Sequence, residues 1–166
     1  MIGRLGVCSW SLRPGSPAEL VERVKACGLD AVQLALEPIR SGAWELAATR
    51  DALEAAGITI ISGMLETKDE DYSTLETIKA TGGLRPDGVW GENVERAQRA
   101  ARIAEELGLE LVTFHAGFIP HDAGDPERKT MIDRLRMVAD LFALKESNEE
   151  NKTAIYRHLN NIEKLP

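Results

Sequence analysis

Four short apolar runs recur along the chain, at residues 5–10 (LGVCSW), 31–36 (AVQLAL), 58–65 (ITIISGML) and 109–114 (LELVTF). None of them alternates strictly between apolar and polar residues, and β-branched residues occur in all four. Continuous apolar runs of this length are typical of strands that are covered on both faces, as in a parallel sheet. The pattern therefore predicts four buried parallel strands.

Helix signals fill the gaps between these runs. Residues 16–19 (SPAE) form a capping box with proline at the first helical position. Further helices are predicted at about 44–56, at about 92–107 and from Asp125-Pro126 onward. A glycine that can close the preceding helix lies before the second, third and fourth runs, at Gly28, Gly57 and Gly108. The order βαβαβαβα predicts a parallel sheet with right-handed crossovers.

The interval from Gly57 to Gly108 is longer than the interval from Gly28 to Gly57. The extra length falls near residues 66–90, directly after the third predicted strand. Long loops in compact domains are usually functional or mobile, and parallel α/β proteins build their sites at the C-terminal ends of strands. We therefore expect this insertion near a functional site. Gly82-Gly83 within it could offer backbone N–H groups to a phosphate, but a turn is the preferred interpretation.

Composition and charge argue against several classes of protein. The 166 residues suit one domain, and 43% hydrophobic residues are enough to form a core. The formal net charge of −7 gives no general attraction to nucleic acid. No apolar run approaches the roughly 20 residues that span a bilayer, and the first strand begins too early for a signal peptide. Cys8 and Cys27 form no metal or redox pair, so we expect buried, reduced thiols in a cytoplasmic protein.

The last residues of the chain differ in composition from the rest. Asparagine is concentrated after residue 145, and glycine is absent there. Ile155, Leu159 and Ile162 follow helical spacing, which predicts a terminal amphipathic helix. The sequence therefore divides into a domain at 1–144 and an additional helix at 145–166.

Several stretches of the chain together resemble one known family. They are RLGVCSWSL, GLDAVQLAL, ITIISGML, EDYSTLETIKATGG and LGLELVTFHAGF. In order and register these stretches are similar to the xylose isomerase-like TIM-barrel superfamily, and within it to the bacterial sugar phosphate isomerase/epimerase branch. The resemblance covers residues 3–144, which correspond to strands one to four of an eight-stranded barrel. It implies an α/β fold, a parallel (βα)4 half of a TIM barrel, with an additional C-terminal helix.

The resemblance also implies a chemistry. Such enzymes hold a divalent metal (Mn, Mg, Co or Zn) that polarises substrate oxygens while paired acid/base groups move a proton. Most of the ligands and acid/base groups lie on strands five to eight in the family. We therefore assign no catalytic residue and no cofactor to the isolated chain, and its metal ligands are unknown.

Three residues are candidates for substrate binding. His115 ends the fourth predicted strand and matches the family's His-x-Gly feature near the site, although a strand-end histidine can also be satisfied by backbone groups alone. Trp10 closes the first strand and could stack on a sugar ring, or could equally serve packing. Glu66 ends the third strand and could point towards His115, whereas a solvated acid in a charged stretch is the simpler interpretation.

Three functional hypotheses follow. The first is the N-terminal half of a divalent-metal-dependent sugar or sugar phosphate isomerase or epimerase, inactive in isolation. The second is a non-enzymatic scaffold, a truncated, recombined or engineered half-barrel that folds and self-associates. The third is a DNA repair endonuclease of the AP type, against which the negative net charge and the missing ligand set argue. Whether the chain is an enzyme stays open at this point.

The expected partners depend on the open sheet. Four parallel strands leave two edges with unpaired N–H and C=O groups, and neither edge run contains a protective proline or lysine. Pairing with a second copy as a homodimer, or cover by the terminal helix, is therefore expected. A sugar or sugar phosphate would bind if a site is completed, and no nucleic acid or membrane partner is predicted.

Overall fold

The computed structural model describes residues 4–143. Both the predicted helix at 145–166 and the predicted domain boundary lie outside or at the end of the described residues, and both stay predictions. The chain forms two compact units, of which the first is Met1–Glu66 with Arg102–Thr113 and the second is Thr67–Ala101 with Phe114–Pro166. Within the described part of the chain, no helix has the length and apolar character needed to cross a bilayer.

The elements follow the predicted βα order. In chain order they are β1 (Val7–Cys8), α1 (Ser9–Leu12), α2 (Pro17–Ala26), β2 (Ala31–Ala35), α3 (Glu37–Arg40), α4 (Leu46–Ala55), β3 (Thr59–Met64), α5 (Leu75–Thr81), the 3-10 helix η1 (Asp87–Val89), α6 (Trp90–Glu106), β4 (Val112–Thr113) and α7 (Pro126–Ala143). The four strands and the four long helices were all predicted, whereas α1, α3, α5 and η1 were not.

The sheet lies in the first unit and has the order β1-β2-β3-β4 with every neighbouring pair parallel. A bulge between Val32 and Gln33 shifts the register of β2 against β3. The buried core around the sheet comes from β2 and from the helices beside it. Its fully buried members include Leu20, Val24, Val32, Leu34 and Leu53. The sheet is the α/β, (βα)4 part of a barrel that the sequence predicts.

The outer strands are shorter than their apolar runs. β1 ends at Cys8 because the chain turns into α1, where the buried Ser9 hydroxyl accepts a hydrogen bond from the Ala35 N–H at 2.8 Å. β4 spans only Val112–Thr113, with Leu111 more than half exposed. Trp10 therefore lies in a helical turn rather than at the end of a strand.

The three junction glycines adopt the predicted conformation. Gly28, Gly57 and Gly108 have φ angles of 70°, 66° and 65°. Each follows a helix, and the N–H of the residue after it bonds back into that helix, as Ile58 N–H does to Leu53 O at 2.9 Å. The left-handed residue closes the helix and directs the chain into the next strand.

Candidate functional site

The candidate site lies in the second unit and centres on His115, two residues after β4 ends at Thr113. The imidazole is 53% exposed. Its Nδ1 is in hydrogen-bond contact with the hydroxyl of Tyr72, and the two rings meet edge to face with centroids 5.7 Å apart. His115 is therefore held from one side by an aromatic hydroxyl and is open to solvent over about half of its surface.

Glu70 is the third member of this cluster and the least exposed, with a side chain only 10% accessible. Its Oε2 lies 3.3 Å from the Tyr72 hydroxyl, and its Oε1 lies 3.9 Å from Nδ1 of His115. The same Oε1 accepts the N–H of Gly83 at 2.9 Å. A carboxylate, a phenol and an imidazole are thus joined in one short network.

Two glycine turns fix the backbone around this network. Leu84 N–H donates to Ala116 O at 3.0 Å, which joins the Gly82-Gly83 turn to the His-Ala-Gly segment. Gly83 and Gly117 both have positive φ, and a Cβ on Gly83 would lie 2.2 Å from the carbonyl carbon of Ala116. Only glycine permits both the conformation and this approach. Gly82 and Gly83 donate their N–H groups to Ile78 O and to Glu70, so these groups are not a phosphate cradle.

Arginines in the second unit hold the loops beside the cluster. The Arg134 guanidinium donates to Leu84 O and Arg85 O at 2.7 Å each, and lies 4.9 Å from the centre of the Trp90 ring. The buried Arg128 donates to Pro120 O at 2.9 Å and to His121 O at 3.2 Å. Both arginines project from α7, so one helix fixes the loops that follow Gly83 and Gly117.

The electrostatics of the cluster act on Tyr72. Burial, the charge of Glu70 and the hydrogen bond to Glu70 raise the pKa of Tyr72 to about 12. The phenol therefore keeps its proton at neutral pH. A protonated phenol between a carboxylate and an imidazole can donate one hydrogen bond and accept another.

The three residues predicted for substrate binding do not all lie in the same unit. His115 belongs to the second unit, whereas Trp10 and Glu66 belong to the first. Trp10 is 39% exposed, and Glu66 follows β3 by two residues. The grouping of these three side chains into one substrate site stays a prediction.

The sequence analysis missed Glu70 and Tyr72 as members of the site. Both lie in the insertion after β3 whose position near a site was predicted. A signal was present, since Tyr72 is the only tyrosine among the described residues and follows a run of acids. Which of these acids contacts Tyr72 depends on the fold of the loop, so the sequence alone does not predict it.

The described residues do not fit the divalent metal that the resemblance implies. Within residues 4–143, no group of three or more His, Cys, Asp or Glu side chains could hold a metal ion. His115 and Glu70 supply one imidazole and one carboxylate, and Tyr72 occupies the Nδ1 side of that imidazole. Metal sites of the zinc type need three or four protein ligands.

Comparison with known proteins identifies the family of this chain. The sequence pattern that defines the xylose isomerase-like TIM barrel matches residues 21–147. The chain belongs to this family. A comparison with curated proteins gave no match.

Several solved structures share the fold of this chain. A xylose isomerase domain protein from Planctomyces limnophilus superposes with a TM-score of 0.66 at 21% identity, over 74% of this chain and 44% of its own. A D-psicose 3-epimerase gives 0.56 at 16% identity, over 85% and 49%. A probable 3-DHS dehydratase from Bacillus anthracis gives 0.54 at 18% identity, over 85% and 48%. The chain therefore spans less than half of the length of each of these three proteins.

Proposed function

We propose that this chain is the N-terminal half of a sugar or sugar phosphate isomerase or epimerase, and that His115 contacts the substrate. The family and the epimerase among its structural neighbours support the reaction class. The observation that carries the proposal is the Glu70–Tyr72–His115 network. It places a half-exposed imidazole, supported by a shielded carboxylate, just after the fourth strand. The proposal assigns the protein to the cytoplasm, where both thiols would stay reduced. The expectation that they are buried was wrong, since Cys8 is half-buried and Cys27 is exposed.

Direct binding tests this proposal. We expect the imidazole resonances of His115 to move on titration of the 166-residue chain with ketohexoses and their phosphates. The same titration followed by calorimetry should show weaker binding in His115→Gln, whereas His121→Gln should bind like the wild type because His121 lies outside the network. A titration that moves no His115 resonance, or binding that His115→Gln leaves unchanged, would contradict the proposal and favour the non-enzymatic scaffold.

The proposal includes inactivity of the chain by itself. No group of three potential metal ligands exists within residues 4–143, and we propose that the metal and most acid/base groups belong to the second half of the barrel. We therefore expect no isomerisation when the chain is incubated with a ketohexose and magnesium, manganese, cobalt or zinc. Turnover that His115→Gln abolishes would show that the chain carries a complete site.

We also propose that the open sheet is completed by a second copy of the chain. Within residues 4–143, β1 and β4 each have a strand on only one side, and Leu5 and Leu111 beside them are 73% and 55% exposed. A homodimer would pair both edges at once. Light scattering over a wide concentration range should show a dimer, and Leu111→Lys should shift it towards monomer. A monomer at every concentration would refute this assembly.

A further inference from the structure

We propose that Glu70 and Tyr72 fix the proton position on His115, so that Nδ1 is protonated and Nε2 faces a substrate hydroxyl as a hydrogen-bond acceptor. Glu70 and Tyr72 are positioning residues in this scheme, because they act through His115. The identity of the ligand rests on the proposed function, whereas the tautomer rests on the network alone.

Counting protons in the network gives the tautomer. Tyr72 has one hydroxyl proton and contacts two groups, a carboxylate oxygen of Glu70 and Nδ1 of His115. An ionised carboxylate can only accept, whereas an imidazole nitrogen can donate or accept according to its tautomer. Both contacts are satisfied only if Tyr72 donates to Glu70 and accepts from Nδ1–H. The other tautomer would leave two lone pairs facing each other at Glu70 Oε2 and the phenol oxygen.

Two further contacts favour the same direction. The Gly83 N–H donates to Oε1 of Glu70 at 2.9 Å, which fixes the position of the carboxylate. The same oxygen lies 3.9 Å from Nδ1, so the negative charge attracts a proton on that nitrogen. The raised pKa of Tyr72 keeps the phenol protonated and able to donate to Glu70.

This tautomer determines which chemical group of a ligand can bind to Nε2 of His115. With Nδ1 protonated, Nε2 of the neutral imidazole carries a lone pair, and it can accept a hydrogen bond or a proton from a hydroxyl. A carbonyl oxygen, or the dianion of a sugar phosphate, has no proton to donate there. The acids at 69–71 also oppose an anion in this part of the loop. The group that meets His115 is therefore a sugar hydroxyl, and any phosphate of the substrate lies elsewhere.

Long-range proton–nitrogen NMR of the full chain tests the tautomer directly. At alkaline pH, where imidazole is neutral, we expect the wild-type His115 spectrum to show a protonated Nδ1 and an unprotonated Nε2. Glu70→Gln should reverse the pattern. The Gly83 N–H still needs an acceptor, so the amide oxygen takes the Oε1 position and the NH2 group faces Tyr72. Tyr72 then donates to Nδ1, and the proton moves to Nε2.

Two other variants separate this effect from general charge or folding effects. Tyr72→Phe removes the relay and should give a mixture of both tautomers, even if Glu70→Gln fails to fold. Asp69→Asn removes a neighbouring negative charge outside the network, at a left-handed position that asparagine tolerates, and should leave the wild-type tautomer. A wild-type Nε2–H form, or a Tyr72→Phe spectrum that shows the Nδ1–H form alone, would overturn the inference.

The same spectra also test which ligand group contacts Nε2 of His115. Addition of a neutral ketohexose should move the unprotonated Nε2 resonance, whereas inorganic phosphate should not. If the tautomer is as expected but no sugar moves Nε2, the proposed function fails and the positioning role of Glu70 and Tyr72 stands. If phosphate alone moves Nε2, the hydroxyl assignment is wrong.

Discussion

Both units have a buried apolar core, and the second unit also carries the polar cluster. In the first unit, fully buried aliphatic side chains such as Leu20, Leu34 and Leu53 pack around the parallel sheet. In the second unit, buried or half-buried polar groups bond to loop backbone, as Arg128 does to Pro120 O and Arg134 to Leu84 O. The comparison shows a division of roles. Apolar packing stabilises the sheet, and hydrogen bonds from arginine side chains fix the loops that carry the polar cluster.

The largest expected effect is the loss of a core side chain from the first unit. Leu34 is fully buried in β2, so Leu34→Ala removes apolar contacts and leaves a cavity. We expect the free energy of unfolding to fall by about 2–5 kcal/mol. Urea unfolding of the variant measures this directly. Leu75→Ala is the matched control, because Leu75 is 76% exposed and its removal should change stability by less than about 0.5 kcal/mol. Equal effects of the two substitutions would refute the contrast.

A smaller effect is expected from the polar scaffold of the second unit. Arg134→Ala leaves the carbonyls of Leu84 and Arg85 without their guanidinium donor and removes the contact with Trp90. We expect a loss of about 2 kcal/mol, the cost of buried acceptors left unsatisfied. Hydrogen exchange should also become faster in the loop after Gly83.

Lys129→Ala is the control on the same helix, since Lys129 is 81% exposed and pairs with Asp133 one turn away. Its loss should cost less than about 0.5 kcal/mol. If Lys129→Ala destabilises the protein as much as Arg134→Ala, the loops do not depend on Arg134.

The sequence predicted the first unit better than the second, for a physical reason. Apolar runs, capping residues and helix-closing glycines act over a few neighbouring residues, and these signals located all four strands and the helix that begins at Pro126. The predicted edge strands were longer than β1 and β4. The ends of these strands depend on pairing with a single neighbouring strand and on contacts such as the hydrogen bond between Ser9 and Ala35. Such contacts join residues far apart in sequence.

The site was predicted only in outline. The position of His115 after the fourth strand, and of the insertion after the third, follows from local pattern. The partners of His115 do not, because Tyr72 is 43 residues away and its approach depends on the turn at Gly83. Helix α5 lies within the insertion and begins at a capping box formed by two threonines, Thr74 and Thr77, in place of the usual glutamate or glutamine at the second position, and it was missed.

A third prediction concerns acid stability of the second unit. Hydrogen bonds from Arg85 lower the pKa of Glu127 below its ordinary value. A carboxylate with a lowered pKa contributes stability above its unfolded pKa and loses it as the pH falls through the folded value. A double-mutant cycle with Arg85→Gln and Glu127→Gln should therefore show coupling at neutral pH. That coupling should fade below about pH 4.3. Coupling that is unchanged at low pH would rule out this ion pair as its source.

The smallest expected effect concerns the pKa of Tyr72 in the polar cluster. Burial contributes most to the raised pKa of Tyr72, which is about 12, and the charge and hydrogen bond of Glu70 contribute the rest. Ultraviolet titration should show one phenol that ionises near that value and disappears in Tyr72→Phe.

Glu70→Gln removes the charge but keeps the burial, so the pKa of Tyr72 should fall only part of the way towards its ordinary value. The sign of the stability effect follows from the same shift. A raised pKa favours the protonated phenol in the folded state, so this contribution is complete below about pH 10 and is lost as the pH rises through the folded value. The wild type should therefore lose more stability than Tyr72→Phe between neutral and strongly alkaline pH. Equal losses would show that Tyr72 is solvated like a free phenol, and that the Glu70–Tyr72–His115 network does not form in solution.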